Sequence, residues 1–501
     1  MAKVIMIQGT MSNVGKSLIV GGLCRVFAQD GLKVAPFKSQ NMALNSFVTE
    51  DGLEMGRAQV MQAECAGVKP SVYMNPILLK PTNDVGSQVI VNGEVVGNMS
   101  ARDYFKYKKK LIPDIKAAYD ELASWADVIV IEGAGSPAEI NLKSDDIVNM
   151  GMASLVDAPV LLVGDIDRGG VFAQLLGTLE LLESDERARV KGLIINKFRG
   201  DKSLLDSGID MLEERGHVPV VGTVPYARLM IDDEDSLSER LDRDRVSAEE
   251  VPIVTVAVIR LPRISNFTDV APFESIDGVE VEFVTNPRDI ADADIVIIPG
   301  SKNTISDMLW LRESGMEAAI KKYSNSGPVI GICGGFQMMG EVITDEDGVE
   351  SEGLDSILGL GLLPTITRLK PAKHRSQTED CFDDMTGLYS CLSGEEFTGY
   401  EIHNGITDIN YDSNVTLDVI EHDDNGDIIL IQSGNILGTY VHGIFDSSDL
   451  ALRLTSAIAE SKGFKLESAM DYQEFKDREY DKLADIIREN LDMEYIYSLI
   501  K

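Results

Sequence analysis

The chain has 501 residues, more than the roughly 100 to 200 of one domain, and implies two or three domains with ample buried cores. Hydrophobic residues at 44% and charged residues at 26% match a folded globular chain and exclude disorder, collagen and a disulfide-built miniprotein. A formal net charge of −36 disfavours sequence-independent nucleic-acid binding, which depends on Lys and Arg neutralising phosphates.

Met1 to Thr10 lacks the cleavage pattern of a signal peptide. No run approaches the ~18 apolar residues that span a bilayer. The expectation is a cytoplasmic protein with no membrane, nucleic-acid or obligate protein partner. Short Val/Ile runs at Val4–Gln8, Val34–Lys38, Val128–Glu132, Val160–Asp165, Leu193–Asn196 and Val218–Val221 read as parallel strands buried on both faces. The stretch from Ser39 to Ser124 is too long for a plain crossover and implies a function-specific insertion. It holds a hairpin signal, Gln88–Val91, Asn92-Gly93, Val95–Val96. Ile231 to Glu250 is densely charged and reads as a linker. A second α/β series follows at Ile253–Ile259, Val281–Val284, Ile295–Ile298, Val329–Cys333 and Ile428–Tyr440. The charged helical tail from Ser448 is expected to pack on that second domain. The expected division is therefore 1–230, a linker 231–250, and 251–501 with its tail.

Gly9-Thr10-Met11-Ser12-Asn13-Val14-Gly15-Lys16-Ser17 follows the first strand and opens a helix, the context of a phosphate-binding P-loop. Inward-facing backbone N–H groups and Gly15 would cradle phosphates, Lys16 would reach the terminal phosphates, and Ser17 would ligate Mg²⁺. Thr10, Asn13, Gly15, Lys16 and Ser17 are the expected nucleotide contacts, with Thr10 where a first glycine is usual. Glu132, at the carboxyl end of the third strand, is an expected metal-holding carboxylate. Asp51 and Asp146 are weaker candidates for the metal or the reacting carboxyl group. Asn196, ending the fifth strand, either reads the nucleotide base or makes a turn.

Pro328-Val329-Ile330-Gly331-Ile332-Cys333-Gly334-Gly335-Phe336-Gln337 has the strand, sharp turn and helix of a nucleophile elbow, with Cys333 as nucleophile and the Gly334 N–H open to an oxyanion. The other cysteines, Cys24, Cys65, Cys381 and Cys391, are scattered, and the odd total without C-x-x-C argues against disulfides or zinc. A second oxyanion donor is expected from the turn around Gly300 and Ser301. His442, in Gly438-Thr439-Tyr440-Val441-His442-Gly443, is the expected base, with His403 in Gly399-Tyr400-Glu401-Ile402-His403 as its rival.

These motifs resemble the cobyric acid synthase family: a dethiobiotin-synthetase-like P-loop domain followed by a class I glutamine amidotransferase-like domain. The resemblance spans the chain and includes Phe37–Ser46 (FKSQNMALNS), Asp51–Gln59, Met74–Pro81, Asp165–Ala173 and Asn196–Asp201. It implies ATP, Mg²⁺ and glutamine as cosubstrates and cofactor. A corrinoid, cobyrinic acid a,c-diamide, would be amidated at carboxylates b, d, e and g through acyl phosphates. It places Lys38, Gln40, Asn41, Asn45, Arg57, Lys80 and Asp146 in the substrate and acyl phosphate region, and Gly300, Ser301, Gly334, Gln337 and Glu401 around the oxyanion and glutamine. Two alternatives are a cobyrinic acid a,c-diamide synthase, similar to F-K-x-G-P-D where this chain has Phe37-Lys38-Ser39-Gln40-Asn41-Met42, and a regulatory P-loop ATPase with a degenerate glutaminase-like module. Ile444 stands where many glutaminases carry an acid that orients the histidine. That leaves the orienting group open, with Glu401 conceivable. Because ATP and the corrinoid are anions, Lys16, Lys38, Arg57, Lys80, Arg168 and Arg199 are expected to make a cationic crevice.

Overall fold

The Val/Ile runs of the first half form one parallel sheet with strand order Val220–Pro225, Val190–Phe198, Val160–Asp165, Lys3–Gly9, Val128–Glu132, Val34–Phe37. In this computed structural model the described residues are 2–83, 86–231, 251–351, 353–423, 425–447, 449–466 and 470–500. The expected linker lies outside them apart from Ile231, which is buried. The four innermost strands are almost wholly buried, as continuous apolar runs require. Asn92 and Gly93 both take positive φ between Gly86–Val91 and Glu94–Ser100, which matches the twist of a two-residue hairpin turn. That hairpin extends a second, four-stranded sheet with Ile77–Asn83 and Gln40–Met42.

The chain divides into two compact units that do not follow its linear order. One contains Met1–Ala43, Leu53–Glu234 and Lys476–Lys501, and the other Leu44–Gly52 and Asp235–Phe475. This corrects the expectation for the tail. Helix Leu450–Ser461 belongs to the second unit, but Lys476–Lys501 belongs to the first. The helix that reaches Asn490 carries Tyr480, Leu483, Ala484 and Ile487 on one buried stripe within the first unit's core. Asp481 accepts from Arg25 at 2.8 Å, Arg488 donates to Asp30 at 2.7 Å, and Tyr480 donates to Glu64 at 2.5 Å. At Gly222 a Cβ would lie 2.1 Å from the Asn490 carbonyl oxygen, so the edge strand admits only glycine there. The tail thus covers an edge that would otherwise expose unpaired backbone groups.

The second unit is built on a seven-stranded sheet, ordered Val279–Val284, Val254–Ile259, Ile295–Ile298, Val329–Ile332, Ile436–Thr439, Ile428–Ser433, Val419–His422. The run expected as one strand over Ile428–Tyr440 is a hairpin folded at Gly434. Two long strands that the sequence reading did not register, Thr365–Cys381 and Glu396–Ile409, pair antiparallel. Their many charged and polar residues hide the period-2 signal. The second of them carries Tyr400, Glu401, Ile402 and His403 and pairs with Val441–His442.

Candidate active site

In the first unit, helix Lys16–Gln29 starts at Gly15 with φ 91°, no side-chain cap and no acid in its first turn. Its N-terminal N–H groups are therefore left to an anion. A Cβ on Gly15 would lie 2.2 Å from Asn196 Nδ2. Asn196 donates to the Val14 carbonyl at 2.7 Å, so it braces the loop from behind; that bond favours the turn reading over base recognition. Asn13 also takes positive φ. Thr10 donates to Gln174 at 3.1 Å, and Lys16 folds back to the Met11 carbonyl at 3.1 Å.

Ser17 and Glu132 are brought together. The Ser17 hydroxyl donates to Glu132 Oε1 at 2.9 Å, as does the buried Lys38 ammonium at 2.9 Å, while Gln62 donates to Oε2 at 2.6 Å. Asn41 reaches the same carboxylate through Gln59. Gln40 accepts from Tyr104 at 2.5 Å, and Arg57 is buried. Lys80 is buried against Glu54 at 2.9 Å. The expected cationic crevice is therefore altered: Lys38 and Lys80 are neutralised by Glu132 and Glu54. Arg199 is exposed, bound to Asp167 and stacked over Tyr226, and Arg168 is exposed.

Three candidates are redirected. Asp146 spends both carboxylate oxygens on the backbone N–H groups of Val148, Asn149 and Gly151, capping the start of helix Met150–Leu155. That accounts for it structurally rather than as a reacting carboxylate. Asp51 and Asn45 fall in Leu44–Gly52, which belongs to the second unit. Asp51 is exposed there. Asn149, overlooked in the sequence, clamps the loop after Glu132 by bonds to the Ala134 N–H and carbonyl.

In the second unit, Cys333 sits between strand Val329–Ile332 and helix Gly334–Met339 with φ 51° and ψ −106°. A non-glycine residue held there stores strain of about 1 to 3 kcal/mol, as nucleophile elbows do. A Cβ on Gly334 would lie 2.8 Å from the Ser301 nitrogen, and one on Gly300 3.2 Å from His442 Cε1. The turn at Gly300 and Ser301 thus borders both Cys333's neighbour and the histidine. Ser301 Oγ is committed to Asp307 at 2.6 Å, whose carboxyl burial pushes up to about 6 despite that bond. The Cys333 thiol lies 3.7 Å from the Ile402 carbonyl.

The orienting acid is Asp269. Its Oδ2 lies 2.7 Å from His442 Nδ1, and its Oδ1 accepts the Gly443 N–H at 3.0 Å. Burial opposes charge on the imidazole, but Asp269, together with the hydrogen-bonded Cys333, outweighs it and lifts His442 to about 10. Glu401 does not orient His442. It accepts from Thr378 at 2.9 Å and lies 3.5 Å from His403 Nε2. His403 is stacked on Tyr440 at 3.8 Å and gives its Nδ1 hydrogen to the Gly405 carbonyl at 2.9 Å. Burial, opposed by Glu401, lowers its pKa. Gln337 is buried between Tyr440 and Thr304. Asp269 escaped the sequence reading because it lies 173 residues before His442, beyond any local motif.

Both halves match family models: the CobQ/CobB/MinD/ParA nucleotide binding domain over residues 5–237 and the CobB/CobQ-like glutamine amidotransferase domain over 255–450. All of this chain aligns with proteins named cobyric acid synthase. It is 53% identical to that of Lachnoclostridium phytofermentans, covering 99% of it, and 52% identical to that of Ruminiclostridium cellulolyticum, covering 98%. It is 50% identical to that of Caldanaerobacter subterraneus subsp. tengcongensis, covering 99%. With a nucleotide-binding P-loop unit, a glutamine amidotransferase unit and relatives about half identical from end to end, the chain belongs to the cobyric acid synthase family of glutamine-dependent amidating enzymes.

Proposed function

We propose that this enzyme amidates peripheral carboxylates b, d, e and g of cobyrinic acid a,c-diamide, with or without its adenosyl ligand, to give cobyric acid. The observation that carries the reading is the pairing, in one chain, of a P-loop whose Ser17 meets Glu132 with an elbow cysteine whose histidine is fixed by Asp269. A substrate carboxylate oxygen attacks the γ-phosphorus of ATP, ADP leaves, and an acyl phosphate forms. Ammonia then attacks the acyl carbon and phosphate departs, which supplies the leaving group a carboxylate lacks. Gly15, Lys16 and the helix N-terminus take up phosphate charge. Ser17 and Glu132 are oxygen donors suited to a hard cation and would hold Mg²⁺. Bound there, the ion would neutralise phosphate charge.

At the second site, His442 takes the Cys333 thiol proton and Sγ attacks the glutamine Cδ. His442, held by Asp269, gives a proton to the departing ammonia, and water then clears the γ-glutamyl thioester to glutamate. The Gly334 and Ser301 N–H groups serve the oxyanion. Glu401, with one oxygen turned toward a neutral His403, takes the α-ammonium of glutamine beside Gln337. Neither the a,c-diamide synthase nor the regulatory ATPase reading is favoured, given full-length identity to proteins named cobyric acid synthase. The test supplies cobyrinic acid a,c-diamide, ATP, Mg²⁺ and glutamine and follows corrinoid mass. Four successive amidation steps are expected, and an unchanged corrinoid contradicts the reading.

A further inference from the structure

The segment Leu44–Gly52 interrupts the first unit's sequence. Residues up to Ala43 and from Leu53 belong with the P-loop, where Lys38 meets Glu132 and Asn41 meets Gln59. The segment itself is part of the glutaminase unit, and its polar atoms form a closed ring there. The Asn266 N–H donates to Asn45 Oδ1 at 2.8 Å, and the Ser46 N–H donates to Asn266 Oδ1 at 3.1 Å. Asn266 Nδ2 donates to the Tyr400 hydroxyl at 3.2 Å, and that hydroxyl donates to the Ser46 carbonyl at 3.0 Å. Phe47 packs edge-on against the Tyr400 ring at 5.0 Å, and Val48 is buried with Tyr400 and Ile402.

Both residues clamped by this ring touch the catalytic pair. Asn266 is held at φ 52°, in the left-handed region, and opens the short 3₁₀ turn Phe267–Val270 that carries Asp269. The Asp269 N–H donates to the Asn266 carbonyl at 3.1 Å. Tyr400 stacks on the His442 ring with centroids 5.4 Å apart. One clamp therefore fixes the acid that bonds His442 Nδ1 and the surface on which the imidazole lies.

We propose that Asn45 and Ser46 are positioning residues of the glutaminase, acting through Asn266 and Tyr400 on the Asp269–His442 pair, rather than residues of the amidation site. A side chain within the FKSQNMALNS motif thereby serves chemistry in the other unit. Left-handed asparagine is tolerated but not favoured, so Asn266 needs partners that over-determine it, and Asn45 Oδ1 and the Ser46 N–H supply two. Loss of one buried hydrogen bond lets the Asp269 turn relax and the imidazole leave its attack orientation, which lowers turnover more than glutamine binding.

The inference rests on the glutaminase reading, and the experiment separates the two. Glutamine hydrolysis and ammonium-supported amidation are measured in the full-length wild type, Asn45→Ala and Tyr400→Phe, the last keeping the stacked ring but not the hydroxyl. The expected result is that Asn45→Ala lowers kcat for glutamine hydrolysis about 5- to 50-fold with KM nearly unchanged. The alkaline limb of its pH profile should move down, and ammonium-supported amidation should stay at the wild-type rate. Tyr400→Phe should show the same pattern more weakly and decides the question if Asn45→Ala does not fold. Wild-type glutamine turnover in the folded variants, or a loss shared equally by both nitrogen sources, overturns the proposal. A wild type that hydrolyses no glutamine overturns the glutaminase reading beneath it.

Discussion

His442 Nδ1 and Asp269 Oδ2 lie 2.7 Å apart, both buried, and the same carboxylate also accepts the Gly443 N–H. The acid thus fixes ring orientation and tautomer together, the task performed by the third member of a catalytic triad. Asp269→Asn keeps the size but removes the charge and can impose the wrong tautomer. The expected loss in glutamine turnover is roughly 10²- to 10⁴-fold. The sign of the pH effect follows from the cause. Asp269 raises His442, which stands at about 10, so its neutralisation lowers the pKa at which the imidazolium loses its proton. The alkaline limb of glutaminase activity should move to lower pH in Asp269→Asn. A pH–rate profile measures it, and an unmoved limb would count against the pairing.

Gly15→Ala is expected to disable amidation while sparing the glutaminase unit. The new Cβ would lie 2.2 Å from Asn196 Nδ2 on a residue with φ 91°. Either the loop or the Asn196 bond to Val14 must give way, and the phosphate cradle is lost. ATP affinity by calorimetry should fall at least tenfold. Unchanged affinity would show that the loop tolerates the methyl group.

The tail supplies a stability test. Ile487 is fully buried in the first unit's core, and Arg488 is a third exposed and bonded to Asp30. Ile487→Ala should cost about 2 to 5 kcal/mol, whereas Arg488→Ala should cost about 0 to 1 kcal/mol because water screens such a pair. Thermal inactivation of ammonium-supported amidation should accelerate in Ile487→Ala and change little in Arg488→Ala. Equal effects would remove the case that burial of the helix stripe, rather than its charges, docks the tail.

Glu401→Gln keeps the shape and the Thr378 contact but removes the charge proposed to receive glutamine's α-ammonium. A charge-assisted hydrogen bond of this kind is worth about 1.5 to 3 kcal/mol, so KM for glutamine should rise roughly 10- to 100-fold with kcat little changed. The deamino analogue, glutaramate, should be hydrolysed equally by the wild type and the variant. If the variant still prefers glutamine as strongly as the wild type does, Glu401 does not read the ammonium.

Parts of this molecule were legible in the sequence because their signals are local. The P-loop strand-turn-helix, the Asn92-Gly93 hairpin and the Cys333 elbow each depend on a few adjacent residues whose dihedral needs are written in their side chains. What was missed depends on distance. Asp269 is an ordinary aspartate until folding brings it to His442. The stripe Tyr480, Leu483, Ala484 and Ile487 shows that a helix must bury one face but not against which unit. Asn45 stands among residues of the P-loop half, and its hydrogen bond to Asn266 spans 221 positions. Glu132 was readable as a carboxylate at the strand end beside the P-loop, where it meets Ser17, while its pairing with Lys38 was not, since charge patterns do not reveal burial.

On the proposed function, glutamine hydrolysis and carboxylate activation are separate chemistries of two sites in one chain. The direct measurement is corrinoid amidation with glutamine or with high ammonium salt as nitrogen source, in Cys333→Ala and Lys16→Ala. Cys333→Ala should make no product from glutamine but should amidate with ammonium, because only the nucleophile that opens glutamine is gone. Lys16→Ala should fail with both nitrogen sources while still hydrolysing glutamine, because the acyl phosphate no longer forms. Ammonium-supported amidation that persists in Lys16→Ala but vanishes in a folded Cys333→Ala would contradict this division of chemistry.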